Sequence, residues 1–321
     1  MKSAAAGSVA SGFIDVHHHL TPPAWVDGAR DAIAATTRRA SALFEWTPEQ
    51  SIAEMDRNGI ATAIMSLTNP GIWFGDAAAA RALARACNEY GARLARDHPG
   101  RFGVFAALPL PDREGSLAEI AYAFDVLKAD GIGLMTNYDD KWPGDPAFAE
   151  VFDELNRRKA VVYFHPTVSA CCSAAIPDVS PSVIEFPIDT TRAITSLMFS
   201  GTFARCPDIR WIFSHAGGAI PMLAHRMAHI MESDKRLAAR APQGVLHELK
   251  RLHYDTAQAA NACSMAALTA LASVSQIVFG SDYPLLGADK TIGGLAGLGL
   301  SERDLAAIAR GNAVRLFPRL G

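Results

Sequence analysis

The feature that most constrains the fold is a regular alternation of strand-like and helix-like segments along the 321-residue chain. Apolar runs of strand length lie at residues 13–17, 61–67, 102–108, 132–135, 161–164, 209–213, 252–254 and 276–279. Eight strand–helix alternations without an obvious linker predict a (β/α)8 TIM barrel, an α/β fold. A doubly wound open sheet is the alternative, but no Gly-rich phosphate loop follows the first strand.

The predicted barrel forms a single domain over residues 13–321, and residues 1–12 are expected to be a flexible tail. This tail is rich in Ala, Ser and Gly and lacks the apolar segment of a secretory signal. No apolar run approaches the ~18 residues that span a bilayer. The formal net charge of -3 gives no electrostatic reason to expect nucleic acid or an anionic membrane as a partner.

The cysteines indicate the compartment in which the protein works. They are odd in number and lack zinc-ribbon spacing: Cys87, Cys171, Cys172, Cys206 and Cys263. Adjacent cysteines such as Cys171 and Cys172 form a disulfide only with strain. We therefore expect reduced thiols and a cytoplasmic protein.

The first predicted strand carries the sequence Asp15-Val16-His17-His18-His19. Side chains of a strand alternate between its two faces, so Asp15, His17 and His19 are expected on one face and His18 on the other. Two imidazoles on one face, about 7 Å apart at ~3.4 Å per residue, can chelate one metal ion. A packed histidine cluster is the alternative at this point.

Other strand ends carry polar groups of the same kind. Strand five ends at His165, strand six is followed by His215, and strand eight by Asp282. Catalytic groups of a barrel sit at the carboxyl ends of its strands, so these side chains and the His17–His19 pair are expected to converge. Taken singly, His165 could be a loop residue, His215 could begin a helix and Asp282 could belong to a turn before Pro284.

These motifs resemble one known family. The strand-one cluster, His165, the His215-Ala216-Gly217-Gly218 segment and the sequence Gly280-Ser281-Asp282-Tyr283-Pro284 are similar to those of the amidohydrolase superfamily. Within it they resemble the metal-dependent, non-oxidative decarboxylases, a branch that includes aminocarboxymuconate-semialdehyde, γ-resorcylate and methylsalicylate decarboxylases. The resemblance extends from Phe13 to about Phe317.

The resemblance implies one divalent metal ion held by four ligands: His17, His19, His165 and Asp282. It also implies that His215 is a nearby acid/base group rather than a ligand, and that Asp282 protonates the substrate. Three imidazoles and a carboxylate suit Zn²⁺ best, and Mn²⁺ is the second possibility. Residues 132–137 contain no Lys that could bridge a second ion, which favours a mononuclear site.

The resemblance further implies a carboxy-lyase that releases CO₂ from a small aromatic acid and protonates the ring carbon. Relatives whose substrates carry a second carboxylate use arginines that do not align here, although Arg38 and Arg39 lie near one position. A salicylate-like hydroxybenzoate is therefore the expected substrate. Trp25, Trp73 and Phe186 are candidate walls for its flat ring, with ordinary loop packing as the alternative for each.

Two other functions use the same residues. A metal-dependent hydrolase of a lactone or amide would need the same ligands, with His215 as the base, and a regulatory barrel would bind metal without catalysis. The predicted helix over residues 217–240 also carries five apolar side chains at helical spacing: Met222, Leu223, Met227, Ile230 and Met231. They predict a homodimer, unless the stripe faces the barrel.

Overall fold

The computed structural model describes residues 12–170, 176 and 178–320. Eight strands form one parallel sheet in chain order. They are β1 (Phe13–His19), β2 (Ile60–Ser66), β3 (Phe102–Ala107), β4 (Gly131–Met135), β5 (Val161–His165), β6 (Arg210–Phe213), β7 (His253–Asp255) and β8 (Ile277–Val278). The predicted (β/α)8 barrel is confirmed. Of the predicted tail at residues 1–12, residues 1–11 lie outside the described residues, so the tail stays a prediction.

The barrel is closed by backbone hydrogen bonds between β1 and the chain that follows β8. The N–H of Val16 donates to the carbonyl of Phe279 at 3.0 Å, and the N–H of His19 donates to the carbonyl of Tyr283 at 2.7 Å. Between them, the N–H of Asp282 donates to the carbonyl of His17 at 2.8 Å. This seam therefore brings Asp282 beside the histidines of β1.

An irregularity in β1 corrects one expectation about its faces. The pairing register with β2 shifts between Asp15 and His18, where the regular alternation is interrupted. Ile14 and Val16 belong to the apolar cluster inside the barrel, whereas the His17 and His19 rings approach His165 beyond the shift. Asp15 was predicted to share the face of His17 and His19, and it does not. Its carboxylate instead pairs with Nδ1 of His18 at 3.1 Å, outside the site.

The barrel interior is filled by side chains rather than left as a pore. Phe105 stacks on Tyr163 with ring centroids 5.1 Å apart, and both are buried. Phe317, near the carboxyl end of the chain, packs against Phe105 at 5.7 Å. The C-terminal segment thus covers one end of the barrel, opposite to the strand ends that carry the histidines.

The helices of the described residues surround the sheet. They are α1 (Pro23–Thr36), α2 (Ala40–Phe44), α3 (Pro48–Asn58), α4 (Ala77–Asp97), α5 (Arg113–Asp125), α6 (Ala149–Arg157), α7 (Glu185–Ser200), α8 (Thr202–Arg205), α9 (Ile220–Glu232), α10 (Lys235–Ala238), α11 (Val245–Lys250), α12 (Ala262–Leu271), α13 (Ala288–Ala296), α14 (Glu302–Ala306) and α15 (Asn312–Leu316). Helix α3 has a capped start, with the Thr47 hydroxyl accepting from the N–H of Gln50.

Two expectations about helices are wrong. The segment containing Trp25, expected to be a loop, is helix α1. Pro23 opens this helix, and Trp25, Ala29 and Ile33 recur every four residues and are buried together. The long helix expected over residues 217–240 is divided into α9 and α10, and its apolar stripe is divided as well. Three of its side chains face solvent, namely Met222, Leu223 and Ile230. The other two, Met227 and Met231, are buried.

Helices within the described part of the chain are too short or too polar to cross a membrane. Cys87, Cys206 and Cys263 are unpaired thiols, and the first two are buried. Cys171 and Cys172 lie outside the described residues, so the expectations about this pair and about a cytoplasmic location stay predictions.

A substitution at Gly280 tests how tightly the seam between β1 and the chain after β8 is packed. A Cβ at this position would lie 2.8 Å from Cβ of His17 and 3.1 Å from Cβ of Asp255. We expect Gly280→Ala to lower the free energy of unfolding by about 1–3 kcal/mol through overpacking and to displace His17. Gly293→Ala is the control, because no atom of the described residues lies within 4 Å of its Cβ and it sits within helix α13. Equal melting temperatures for the two variants would contradict this packing.

Candidate metal centre and active site

The predicted metal ligands come together at the carboxyl ends of the strands. His17 and His19 end β1, His165 ends β5, and Asp282 follows β8. One ligand atom from each residue lies within 4.8 Å of all the others, and all four residues are buried. The structure therefore forms, from residues up to 265 positions apart, a group that can hold a metal ion.

His17 is held by a carboxylate behind its ring. Its Nδ1 lies 2.8 Å from Oδ2 of Asp255, and its Nε2 lies 3.3 Å from Oδ1 of Asp282. Burial opposes a charge on this ring, but the negative charges of Asp255 and Asp282 outweigh it and raise the pKa of His17 to about 10. The pocket between the two carboxylates therefore favours a positive charge, which either a proton or a metal ion can provide.

His19 and His165 have the properties of neutral ligands. Nδ1 of His165 donates to the carbonyl of Pro166 at 2.8 Å, so Nε2 is unprotonated; it lies 3.4 Å from the hydroxyl of Thr68 and has a lone pair that can bind a metal. Burial lowers the pKa of His165 well below its usual value and also lowers the pKa of His19. Imidazole coordinates a metal only in its unprotonated form, so both rings fit a metal site.

Asp282 occupies the centre of the group. Its φ of 71° is in the left-handed region, which Asp tolerates better than most residues. Oδ1 accepts from Nε2 of His19 at 2.9 Å, and Oδ2 accepts from the amide of Gln258. Burial opposes its negative charge, but His17 and the surrounding hydrogen bonds keep the pKa of Asp282 well below its usual value. The carboxylate is thus ionised, and its two oxygens have different partners.

His215 lies next to the four-residue group but does not belong to it. Its Nε2 is 3.7 Å from Oδ2 of Asp282, and its backbone N–H donates to Oδ1 of Asp255 at 2.8 Å. Neither ring nitrogen has a hydrogen-bond partner among the described residues, and the side chain is 11% exposed. Both ring nitrogens are buried, and this position suits a group that passes a proton to or from Asp282.

Two functional residues were not predicted from the sequence. Asp255 orients both His17 and His215, and Gln258 holds Oδ2 of Asp282. Asp255 ends β7, so the rule that singled out the other strand ends would have found it. Gln258 gives no such signal, because it reaches the site from the loop after β7 with a φ of 53°.

A cavity of about 230 Å³ opens beside His165, His215 and Asp282, and Phe186 lines it. The ring of Phe186 lies 6.3 Å from that of His165, a suitable position for a substrate wall. The other two candidate walls lie elsewhere. Trp25 is fully buried and donates to the carbonyl of Gly71 at 2.7 Å, and Trp73 lines a neighbouring cavity.

Fold and site together define an enzyme of the barrel class with a group that can hold a metal ion, formed at the ends of strands one and five and after strand eight. The family model for amidohydrolases matches residues 14–319. The chain belongs to the amidohydrolase family, in its branch of non-oxidative decarboxylases.

Similar proteins include decarboxylase yanB of Aspergillus niger, which is 38% identical over 95% of this chain and 87% of its own length. The 6-methylsalicylic acid decarboxylase acuB of Aspergillus aculeatus is 35% identical over 96% of both chains. The crystal structure of 5-carboxyvanillate decarboxylase from Novosphingobium aromaticivorans has the same fold, with a TM-score of 0.86, 21% identity and coverage of 98% of this chain and 97% of its own. That structure contains manganese and 4-hydroxy-3-methoxy-5-nitrobenzoic acid.

Asp255→Asn tests the carboxylate behind His17. An amide NH₂ at the position of Oδ2 would force Nδ1 of His17 to accept, which moves the ring proton to the nitrogen facing the metal site. We expect metal affinity to fall about 10–100-fold, measured by competition with a chelator. Glu119→Gln is the control, because this buried carboxylate contacts Arg85 and Asn88 and no proposed ligand. Unchanged affinity in Asp255→Asn would show that Asp255 does not orient a ligand.

Proposed function

We propose that the protein is a metal-dependent, non-oxidative decarboxylase of a small hydroxybenzoate of the salicylate kind. The observation that carries the proposal is the position of Asp282. One of its oxygens faces the histidines of the metal group, and the other faces His215 and the cavity. Relatives that match nearly the whole chain are decarboxylases, and two of them are 6-methylsalicylic acid decarboxylases.

We assign His17, His19, His165 and Asp282 as ligands of one divalent ion, with Zn²⁺ as the first choice. Three imidazoles and one carboxylate are a typical donor set for Zn²⁺. Mn²⁺ is the second choice, supported by the manganese in the 5-carboxyvanillate decarboxylase structure. When bound, such an ion supplies positive charge that stabilises negative charge developing on the substrate's oxygens.

Asp282 and His215 would deliver the proton that replaces the carboxyl group. Oδ2 of Asp282 can carry this proton, since it points away from His19 and towards His215. His215 lines the cavity and lies 3.7 Å from that oxygen, so it can return a proton to Asp282 after each turnover. The amide of Gln258 holds the same oxygen in place. Protonation at the ring carbon allows CO₂ to leave and the ring to regain its aromaticity.

The cavity supports a small anionic substrate. Its volume of about 230 Å³ is below the roughly 300–1,000 Å³ of pockets for drug-sized ligands. The ring of Phe186 offers a flat apolar surface, and Arg38 and Arg39 also line the cavity. Their positive charges attract an anionic substrate to the cavity. A hydroxybenzoate with one carboxyl group meets these requirements.

Labelled solvent distinguishes decarboxylation from hydrolysis. In D₂O, turnover of a salicylate-type acid should release CO₂ and place one deuteron at the carbon that carried the carboxyl group. This follows because the proton comes from Asp282, which exchanges with solvent through His215. Mass spectrometry and NMR of the phenol measure both products. Incorporation of ¹⁸O from labelled water, without CO₂ or ring deuterium, would identify a hydrolase of a lactone or amide instead.

His215→Ala separates the acid/base role from ligation. Because His215 lies outside the metal group, the variant should retain one metal per chain while kcat falls about 10²–10⁴-fold. His247→Ala on α11 is the control, since this histidine lies outside the cavity. Loss of metal in proportion to activity would place His215 among the ligands.

We also propose a homodimer formed through helix α9. Met222, Leu223 and Ile230 on this helix are 77%, 38% and 43% exposed, a costly arrangement for large apolar side chains in a monomer. Light scattering at micromolar concentration should give twice the monomer mass, and Met222→Glu should shift it towards the monomer. Val126→Glu is the control, because Val126 is 59% exposed at the end of α5. A monomeric protein would refute the proposal.

A further inference from the structure

A second cavity lies beside the one that contains the proposed active site. The active-site cavity measures about 230 Å³, and the second measures about 280 Å³. Thr36 and Asn69 line both cavities, whereas none of the proposed metal ligands lines the second. The two spaces are therefore neighbours that share a wall.

The shared wall is a chain of hydrogen bonds between three side chains. Nδ2 of Asn69 donates to the hydroxyl of Thr36 at 2.8 Å, and the hydroxyl of Thr167 donates to Oδ1 of Asn69 at 2.7 Å. Asn69 is 2% exposed and Thr167 is 8% exposed. The hydroxyl of Thr36 also donates to the carbonyl of Ala32 at 2.7 Å, which fixes its direction. A buried amide with both ends bonded has one preferred orientation, so the wall is rigid.

The space behind the wall suits a flat apolar group. Trp73, Phe74, Met135 and Tyr138 line it together with Pro70, and Asn137, Asp139 and Asp140 add polar groups on part of its wall. The apolar side chains can pack against both faces and the edge of an aromatic ring. In most small-molecule sites, apolar walls surround a few polar groups. The combined lining of both cavities matches this pattern better than the lining of the active-site cavity alone.

We infer that the Thr36–Asn69–Thr167 bridge is a specificity determinant that limits how far a hydroxy acid can extend towards the second cavity. A second fused ring that points from Asp282 towards Asn69 would meet the bridge, because Thr36 and Asn69 line both cavities. Opening the bridge would connect the cavities and admit two-ring hydroxy acids such as 1-hydroxy-2-naphthoate. This inference rests on the proposed decarboxylase function and specifies which acids it accepts.

The test compares Asn69→Ala and Thr36→Ala with the wild type. For each protein, kcat/KM is measured for 1-hydroxy-2-naphthoate and for salicylate, and their ratio should rise at least about tenfold in both variants. Thr37→Ala is the matched control, because the neighbouring threonine lines only the active-site cavity, and it should keep the wild-type ratio. Asn69 and Thr36 are the two partners of one hydrogen bond, so either variant alone removes it. The test therefore stays valid if one of the two variants fails to fold. An unchanged ratio in folded variants would overturn the inference.

A binding measurement separates this inference from the proposed reaction. Calorimetry on the metal-loaded proteins gives the Kd of 1-naphthol and of phenol without requiring turnover. In one outcome no acid releases CO₂, but the ratio of the Kd of phenol to the Kd of 1-naphthol is at least about tenfold higher in the variants than in the wild type. The decarboxylase proposal then fails, and the role of the wall in limiting ligand size stands. If CO₂ is released but neither ratio changes, the function stands and the wall has no such role.

Discussion

The structure depends on the seam where β1 meets the chain after β8. A single hydrogen bond there, from the N–H of Asp282 to the carbonyl of His17, places residues 265 positions apart side by side. Asp15 strengthens the seam from behind, because its carboxylate accepts from the N–H of His17 and from the N–H of Ser281. The barrel cannot close without aligning the metal group, so fold and site are stabilised by the same contacts.

The site concentrates charge in a buried volume, which is costly unless the charges balance. Asp255 and Asp282 are both buried and flank His17. Their combined negative charge explains why the pKa of His17 rises although burial alone would lower it. A divalent cation balances these carboxylates more completely than one proton. We therefore regard metal binding as part of the stability of this end of the barrel as well as of its chemistry.

The strand-end rule predicts the location of the site because it depends only on where apolar runs stop. From the sequence alone it brings His17, His165 and Asp282 to one place. Asp255 ends the three-residue strand β7 and follows the same rule, although it is not among the predicted site residues. The predicted face of Asp15 is wrong because the register shift in β1 leaves no mark in the sequence pattern. Trp25 is a core residue rather than a ring wall, because its segment folds as helix α1 and not as a loop.

The wall between the two cavities cannot be predicted from the sequence for a different reason. Thr36, Asn69 and Thr167 follow three different segments of the chain, and nothing in their spacing indicates that their side chains meet. Such contacts arise only after the barrel has closed. The sequence thus predicts the site residues at the strand ends. It does not predict how the loops after the strands shape the cavities around the substrate.

The central claim is that one divalent ion is held by His17, His19, His165 and Asp282. Crystals of the protein loaded with Mn²⁺ would test it most directly, through anomalous scattering recorded at the manganese absorption edge. The account predicts one peak per chain, within bonding distance of all four residues and with His215 outside that distance. A peak located elsewhere, a second peak of equal height, or His215 in place of one of the four ligands would contradict it.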